Sequence, residues 1–346
     1  MTIVEAHRAV VGGVDTHLDV HVAAALDGIG GVLGVESFAA NPAGYRELFE
    51  WMSSFGTVAR VGVERTGAYG AGLSRYLHRR GVEVIEVDRA NRQVRRQGGK
   101  SDPGDALEAA RAAQSGRARG LAKSRDGNVE AIRALLVTRR SSRAMRVKTL
   151  CQIRHLTFTG PDELRERLQG LSAIMLPREA AAMRPRPGGD VVGYTTKLAI
   201  RTLARRVVAL DEETEQIDEL LGALVAETAP SLLALHGVGV EGAAALLVAA
   251  GDNAERLRSE AAWAHLCGVS PIEASSGKVV RHRLNRGGDR QANAALWRIV
   301  MVRMVSHAPT RAYVERRTKE GRSKREIMRM LKRYVAREVY HHLPRG

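Results

Sequence analysis

At 346 residues the chain is long enough for two or three domains of roughly 100–200 residues each. It is 44% hydrophobic but only 4% aromatic, so its cores are expected to be aliphatic and alanine-rich. Lys and Arg outnumber Asp and Glu by 54 to 38, and +14 of the resulting +16 lies in residues 278–346, which hold 19 basic and 5 acidic side chains. Charge concentrated in this way points to a polyphosphate partner, nucleic acid above all, rather than to an evenly solvated surface. The two cysteines, Cys151 and Cys267, stand in unrelated contexts, which excludes a disulfide framework or a cysteine metal site and fits a reducing cytosol. The start M-T-I-V-E-A-H-R lacks a signal-peptide core, and the longest apolar run, residues 243–250, falls far short of the about 20 residues that span a bilayer. A cytoplasmic protein without a membrane partner is expected.

In chain order, residues 9–37 alternate apolar stretches with Gly and Asp and read as three strands in an antiparallel meander. A helix over 41–52 follows, with Asn41 as its cap. Residues 58–64 read as a strand, 69–80 as a helix, 82–87 as a strand, and a helix runs from Asp102 to about Gln114. This order predicts a mixed α/β sheet covered by helices. Residues 128–158 read as a long basic helix, with seven Lys/Arg between Arg133 and Arg154. A linker, P-R-P-G-G-D at 185–190, precedes a second long helix over 193–228. In it Leu203, Val207, Leu210, Thr214, Ile217, Leu221 and Leu224 step by four and three, the spacing of a coiled-coil seam. That seam serves either pairing between subunits or a long antiparallel pair. From Pro230 the chain is Gly-marked and helical, ending in basic helices near 291–305 and 322–342. The expected division is 1–120, 121–228 and 229–346.

K-S-D-P-G-D at 100–105 has two readings. Asp102 suits an N-cap, Pro103 the first helical position, and Asp105 the first turn, where negative charge matches the helix dipole. Alternatively both are metal ligands, three apart on one helical face. Asp15 ends the first strand and Glu64 the fourth, and in a sheet of this order those two strands can be neighbours. Asp19 rivals Asp15 but falls in the hairpin. Four carboxylates at one sheet end repel one another unless they surround hard cations, which take oxygen ligands. Two magnesium ions about 3.5–4 Å apart can clamp the attacking and leaving oxygens of a phosphodiester.

Gly237, Gly239 and Gly242 spell G-x-G-x-x-G, but P-S-L-L-A-L before them is a poor strand and no βαβ context follows, so a dinucleotide site is not expected. A tight turn between helices fits better. It either offers backbone N–H groups of Gly237 and Gly239 to a phosphate or serves packing. Further on, S-S-G-K at 275–278 precedes Arg281, Arg283, Arg286 and Arg290. Read locally these serines are turn formers, and no activating base adjoins them. A phosphodiester already held on metals needs less activation, and flanking cations can offset developing charge. The candidate nucleic-acid contacts are these four arginines with Lys278, Arg139, Arg140, Arg143 and Lys148 on the first long helix, and Arg92, Arg95, Arg96 and Lys100.

V-D-T-H-L-D, G-V-E-R-T-G-A-Y-G and K-S-D-P-G-D-A-L-E-A-A-R resemble the N-terminal motifs of the DEDD transposases of insertion-sequence family 110. G-V-G-V-E-G-A-A-A-L-L, G-V-S-P-I-E-A-S-S-G-K and R-L-N-R-G-G-D-R-Q-A-N-A-A-L resemble the C-terminal domain of the same family. The resemblance covers nearly the whole chain. It implies an RNase H-like first domain similar to the junction resolvase RuvC, a long-helix linker and a mostly helical transposase domain. It assigns Asp15, Glu64, Asp102 and Asp105 to a tetrad holding Mg²⁺, and Ser276, with Ser275 as the fallback, to a nucleophile that forms a phosphoserine link to DNA. It further implies a site-specific recombinase acting on donor and target DNA as a dimer or tetramer, guided by a bridge RNA whose base pairing supplies specificity. A junction nuclease using water, an invertase of the family without guide RNA, and a non-enzymatic nucleic-acid-binding protein are the alternatives.

Overall fold

β1 (Ala9–Thr16) and β2 (Val20–Leu26) are built from Val, Ala and Gly and are buried almost throughout, because helices cover both faces of their sheet. This is a computed structural model of the protein; it describes residues 9–87, 101–188, 190–253 and 256–344. The described residues form two compact units, those up to 127 with 250–262, and those of 128–249 with 263–344.

In the first unit, β3 (Val32–Ala39), α1 (Pro42–Ser53), β4 (Thr57–Glu64), α2 (Ala71–Arg79), β5 (Glu83–Val87), α3 (Asp102–Gln114) and β6 (Gly120–Leu121) follow in order. The sheet runs β3-β2-β1-β4-β5-β6. The first three strands are antiparallel neighbours, as the meander predicts, whereas β1, β4 and β5 are parallel. This is the RNase H-like arrangement. The cap of α1 is Asn41, whose side chain accepts from the Gly44 N–H at 3.0 Å.

The two sheet faces carry different helices, and the two-residue period of the strands decides which side chain meets which. Val14, Val61 and Val63 point to Leu48 and Met52 of α1 and to Leu73 and Leu77 of α2. Gly13 and Gly62 point to the other face, where α3 lies. A Cβ on Gly13 would sit 2.1 Å from Ala110 N and 2.3 Å from Ala106 O, and one on Gly62 2.5 Å from Ala109 O. The helix therefore rests directly on strand backbone, with alanines as its contact row. Gly13→Ala must push a backbone away rather than a flexible side chain. We expect it to destabilise the protein by about 3 kcal/mol, measured by denaturant melts against Gly120→Ala, a site with open space around it. Equal midpoints for the two variants would refute this packing.

The second unit holds α4 (Asn128–Thr159), α5 (Asp162–Leu168), α6 (Met175–Ala182), α7 (Val191–Thr228), α8 (Pro230–Leu233), α9 (Val240–Ala250), the last four residues of α10 (Glu260–Leu266), the hairpin of β7 (Ile272–Glu273) and β8 (His282–Arg283), α11 (Arg290–Ser306), α12 (Ala308–Lys319) and α13 (Lys324–Tyr340). α4 and α7 form an antiparallel pair: Arg139 meets Asp218, Ser142 meets Glu213 and Arg146 meets Asp211. Of the expected seam, Val207, Ile217 and Leu221 are buried within this one chain. These three positions serve the antiparallel pair inside the chain, while Leu203, Leu210, Thr214 and Leu224 are only half-buried. No described helix is long and apolar enough to cross a membrane.

Candidate active site

Val14 of β1 pairs in register with Val63 of β4, so Asp15 and Glu64 come next on adjacent parallel strands. The hydroxyl of Thr16 donates to the Glu64 carbonyl at 3.0 Å, holding the two strand ends together. By strand alternation Asp15 follows Val11 and Gly13 on the α3 face, and Glu64 follows Gly62 there. Val11 packs against Ala113 near the end of α3, and Gly13 against Ala110 and Ala106. The helix therefore runs against β1, bringing its first turn to the strand ends. Asp102 and Asp105 sit in that first turn.

The expected cap is corrected here. Ser101, not Asp102, is the N-cap: its backbone is extended, and its hydroxyl accepts from the Gly104 N–H at 3.3 Å. Asp102 is the first helical residue, so its carboxylate is not consumed by capping. Asp102 is half-exposed, whereas Asp15, Glu64 and Asp105 are buried.

One residue that the sequence reading passed over joins this group. His17 Nε2 lies 3.1 Å from Asp15 Oδ2 and 3.5 Å from Asp102 Oδ1. Ligand-type atoms of Asp15, His17 and Asp102 all fall within 4.8 Å of one another. Among the described residues Glu64 and Asp105 lie outside that trio. Two carboxylate oxygens and an imidazole nitrogen are a donor set that suits a divalent cation. Arg65, directly after Glu64, has φ +51, a left-handed backbone that a non-glycine residue adopts at a cost; such strain clusters at functional sites.

In the second unit, Ser276 and Val279 exchange backbone hydrogen bonds at 3.1 Å each, closing a two-residue turn over Gly277 and Lys278. Gly277 has φ +57, at the first central position where such a hairpin favours glycine. The neighbouring serines differ. Ser275 Oγ accepts from Arg281 N–H at 3.2 Å and is tied to the opposite strand. The Ser276 hydroxyl makes no hydrogen bond among the described residues and is exposed. Lys278, Arg281, Arg283, Arg286 and Arg290 are exposed as well.

A family model of DEDD transposases of the IS110 type matches residues 12–160, and one described as the transposase IS116/IS110/IS902 family matches residues 229–315. Together they span well over half of the chain, in order. The chain belongs to the IS110 family of transposases. It is also 28% identical over 142 residues to the insertion element IS110 uncharacterized 43.6 kDa protein of Streptomyces coelicolor (strain ATCC BAA-471 / A3(2) / M145), covering 40% of this chain and 35% of that protein. The matched stretch is thus about a third of the relative's own length.

In this transposase-family chain the first family match contains the Asp15–His17–Asp102 trio and the second contains Ser276. Other expected contacts fare unevenly. Arg139 is buried, and its guanidinium binds Asp218 and, at 3.0 Å, Glu241. The hydrogen bond it donates to Asp218, against the cost of burial, raises its pKa. Its guanidinium is held by these two carboxylates as an internal strut between helices. Arg143 leans on the same Glu241 at 3.5 Å, Arg140 is half-buried and Lys148 is exposed. Arg92, Arg95, Arg96 and Lys100 lie outside the described residues.

Gly237 adopts φ +79 between α8 and α9, and a Cβ there would meet Ile299 O at 3.3 Å, so backbone conformation and packing explain that glycine. Gly239 has open space around it. The hairpin between helices replaces any strand–turn–helix, and with it the dinucleotide reading.

Proposed function

We propose that this chain is a DNA recombinase that moves an insertion sequence, cutting and rejoining phosphodiesters in a metal-dependent reaction. The observation that carries the reading is the convergence of Asp15, His17 and Asp102 within 4.8 Å inside a DEDD transposase match. Asp15, Glu64, Asp102 and Asp105 would hold divalent cations, Mg²⁺ in the cell, with His17 beside them. Bound cations supply Lewis acidity at the phosphoryl oxygens and offset the charge that builds there.

The chain's own groups do the rest. Exposed cations of the S-S-G-K hairpin and of the arginines after it draw in the DNA backbone. Ser276 attacks the scissile phosphorus: its Oγ–P bond forms, its proton leaves, and the 3′-oxygen departs as a hydroxyl after taking up a proton. Bond energy is kept in the phosphoserine, so a 3′-hydroxyl from another strand can attack it and release the serine. Exchange between strands needs at least two such sites, hence a dimer or tetramer. A guide RNA would supply target and donor specificity through base pairing; the long basic segments support an RNA partner without naming it.

The test is strand cleavage of DNA carrying the element's ends, with the RNA transcribed from its flank, in Mg²⁺ and in EDTA. We expect nicked or joined strands only with the metal. Cleavage that is undiminished in EDTA would overturn the reading.

A further inference from the structure

A cavity of about 940 Å³ lies in the second unit and is lined by none of the acidic tetrad. Its walls are α11, α13 and the turns at 268–271 and 284–288. From α11 come Arg290, Asn293, Ala294 and Trp297, spaced so as to share one helical face; from α13 come Arg329, Met330, Arg333, Tyr334 and Arg337, again one face. Six cations line it, counting Arg286 and Lys332, and no acidic side chain does.

Two aromatic rings stand in this cationic lining half-open to solvent, Trp297 at 47% and Tyr334 at 49% exposure. In a chain with so few aromatics this is a costly placement for rings that could have filled a core. Tyr334 is held edge-on by Tyr313 at 5.7 Å between ring centres, so its face is fixed in direction. The floor is rigid too. Gly288 lies so close to Gly268 that a Cβ would meet its nitrogen at 2.3 Å. Asn293 donates to the Cys267 carbonyl at 2.8 Å and accepts from Lys332 Nζ at 2.9 Å, joining both helices to the 268 turn. Burial first, and then the neighbouring Arg329, lowers the Lys332 pKa below the ordinary lysine range.

We infer that this cavity takes an unpaired nucleotide of a single-stranded nucleic acid, its base stacked on Trp297 or Tyr334 and its phosphates among the six cations. A duplex already buries its base faces in its own stack and cannot offer them to a ring, whereas a splayed-out base can. The volume is at the upper end of the about 300–1,000 Å³ usual for ligand pockets, ample for one nucleotide and its flanking phosphates. The inference rests on the reading of the chain as a nucleic-acid-processing protein, and it adds which part of the nucleic acid this unit holds. Both RNA and DNA offer this chemistry.

The experiment is fluorescence anisotropy of the full chain in EDTA, with labelled single-stranded RNA, single-stranded DNA of the same sequence, and duplex DNA. Trp297→Ala should weaken single-strand binding by about 5- to 150-fold, the effect of losing one base–ring stack, while duplex binding stays within about twofold; Trp297→Phe should restore most of the loss. Whichever single strand shows the loss identifies the source. Equal weakening on duplex and single strands, or no weakening on either single strand, overturns the pocket. Wild-type protein that binds duplex but no single strand overturns it and leaves the proposed recombinase standing. Absent metal-dependent cleavage with the Trp297 effect intact does the reverse. Photocrosslinking through 4-thiouridine or 4-thiothymidine should place the adduct on the peptides of Trp297 or Tyr334, and adducts found only elsewhere would count against it.

Discussion

Ser276→Ala should eliminate the covalent protein–DNA adduct and all strand joining, while nucleic-acid binding stays within about twofold. Alanine removes one exposed hydroxyl that takes part in no hydrogen bond, so neither the hairpin nor its charge changes. Ser275→Ala should behave differently. It deletes the contact to the Arg281 N–H, loosening the hairpin, and should lower the rate without abolishing the adduct. Denaturing gels of protein with 5′- and 3′-labelled DNA distinguish the cases. Adducts that survive in both variants would place the nucleophile elsewhere. Metal-dependent cleavage that persists without adducts in Ser276→Ala would mean that water attacks and that the chain is a nuclease.

Asp15→Asn should lower cleavage on the order of 10³-fold, the loss of several kcal/mol of charge stabilisation in the transition state. The side chain keeps its shape and loses only its charge. What happens to stability separates a ligand role from a structural one. In EDTA the variant should melt at the same temperature as the wild type or higher, because carboxylate oxygens of Asp15 and Asp102 lie within 4.8 Å of each other and like charges repel. Added Mg²⁺ should raise the wild-type melting temperature by mass action and leave the variant unmoved. A turn-forming or capping Asp15 would instead give a destabilised variant, with or without metal. Binding to DNA should not fall, since the charge removed is negative.

The sheet was legible because its strands alternate or run apolar between clear turns, and because the acidic residues sit at strand ends that the order makes neighbours. What periodicity could not give is depth. In the fold Gly13 and Gly62 are the contact surface that lets α3 bring Asp102 to Asp15, a role that the strand pattern alone does not show. His17 carries no signal of its own in the sequence, and only the approach of α3 across eighty-odd residues of chain brings Asp102 beside it and Asp15. Asp102 looked like a cap because serine one residue earlier is an equally good one, and sequence cannot choose between them. On the long helices the pattern hid partners in a different way. Arg139 is one of seven cations in a row without acids, but its acidic partners come from α7 and α9, far along the chain. The same distance hid the Trp297–Tyr334 cavity, whose two faces are each visible at helical spacing but meet only in the fold.

The central claim is that cations gather at the ends of β1 and α3. Crystals of the protein with its DNA, grown in Mn²⁺ and measured at the manganese edge, test it most directly. We predict anomalous density within about 2.0–2.6 Å of carboxylate oxygens of Asp15 and Asp102. Saturating Mn²⁺ that leaves both side chains without an ion, on protein whose DNA is bound, would contradict the account.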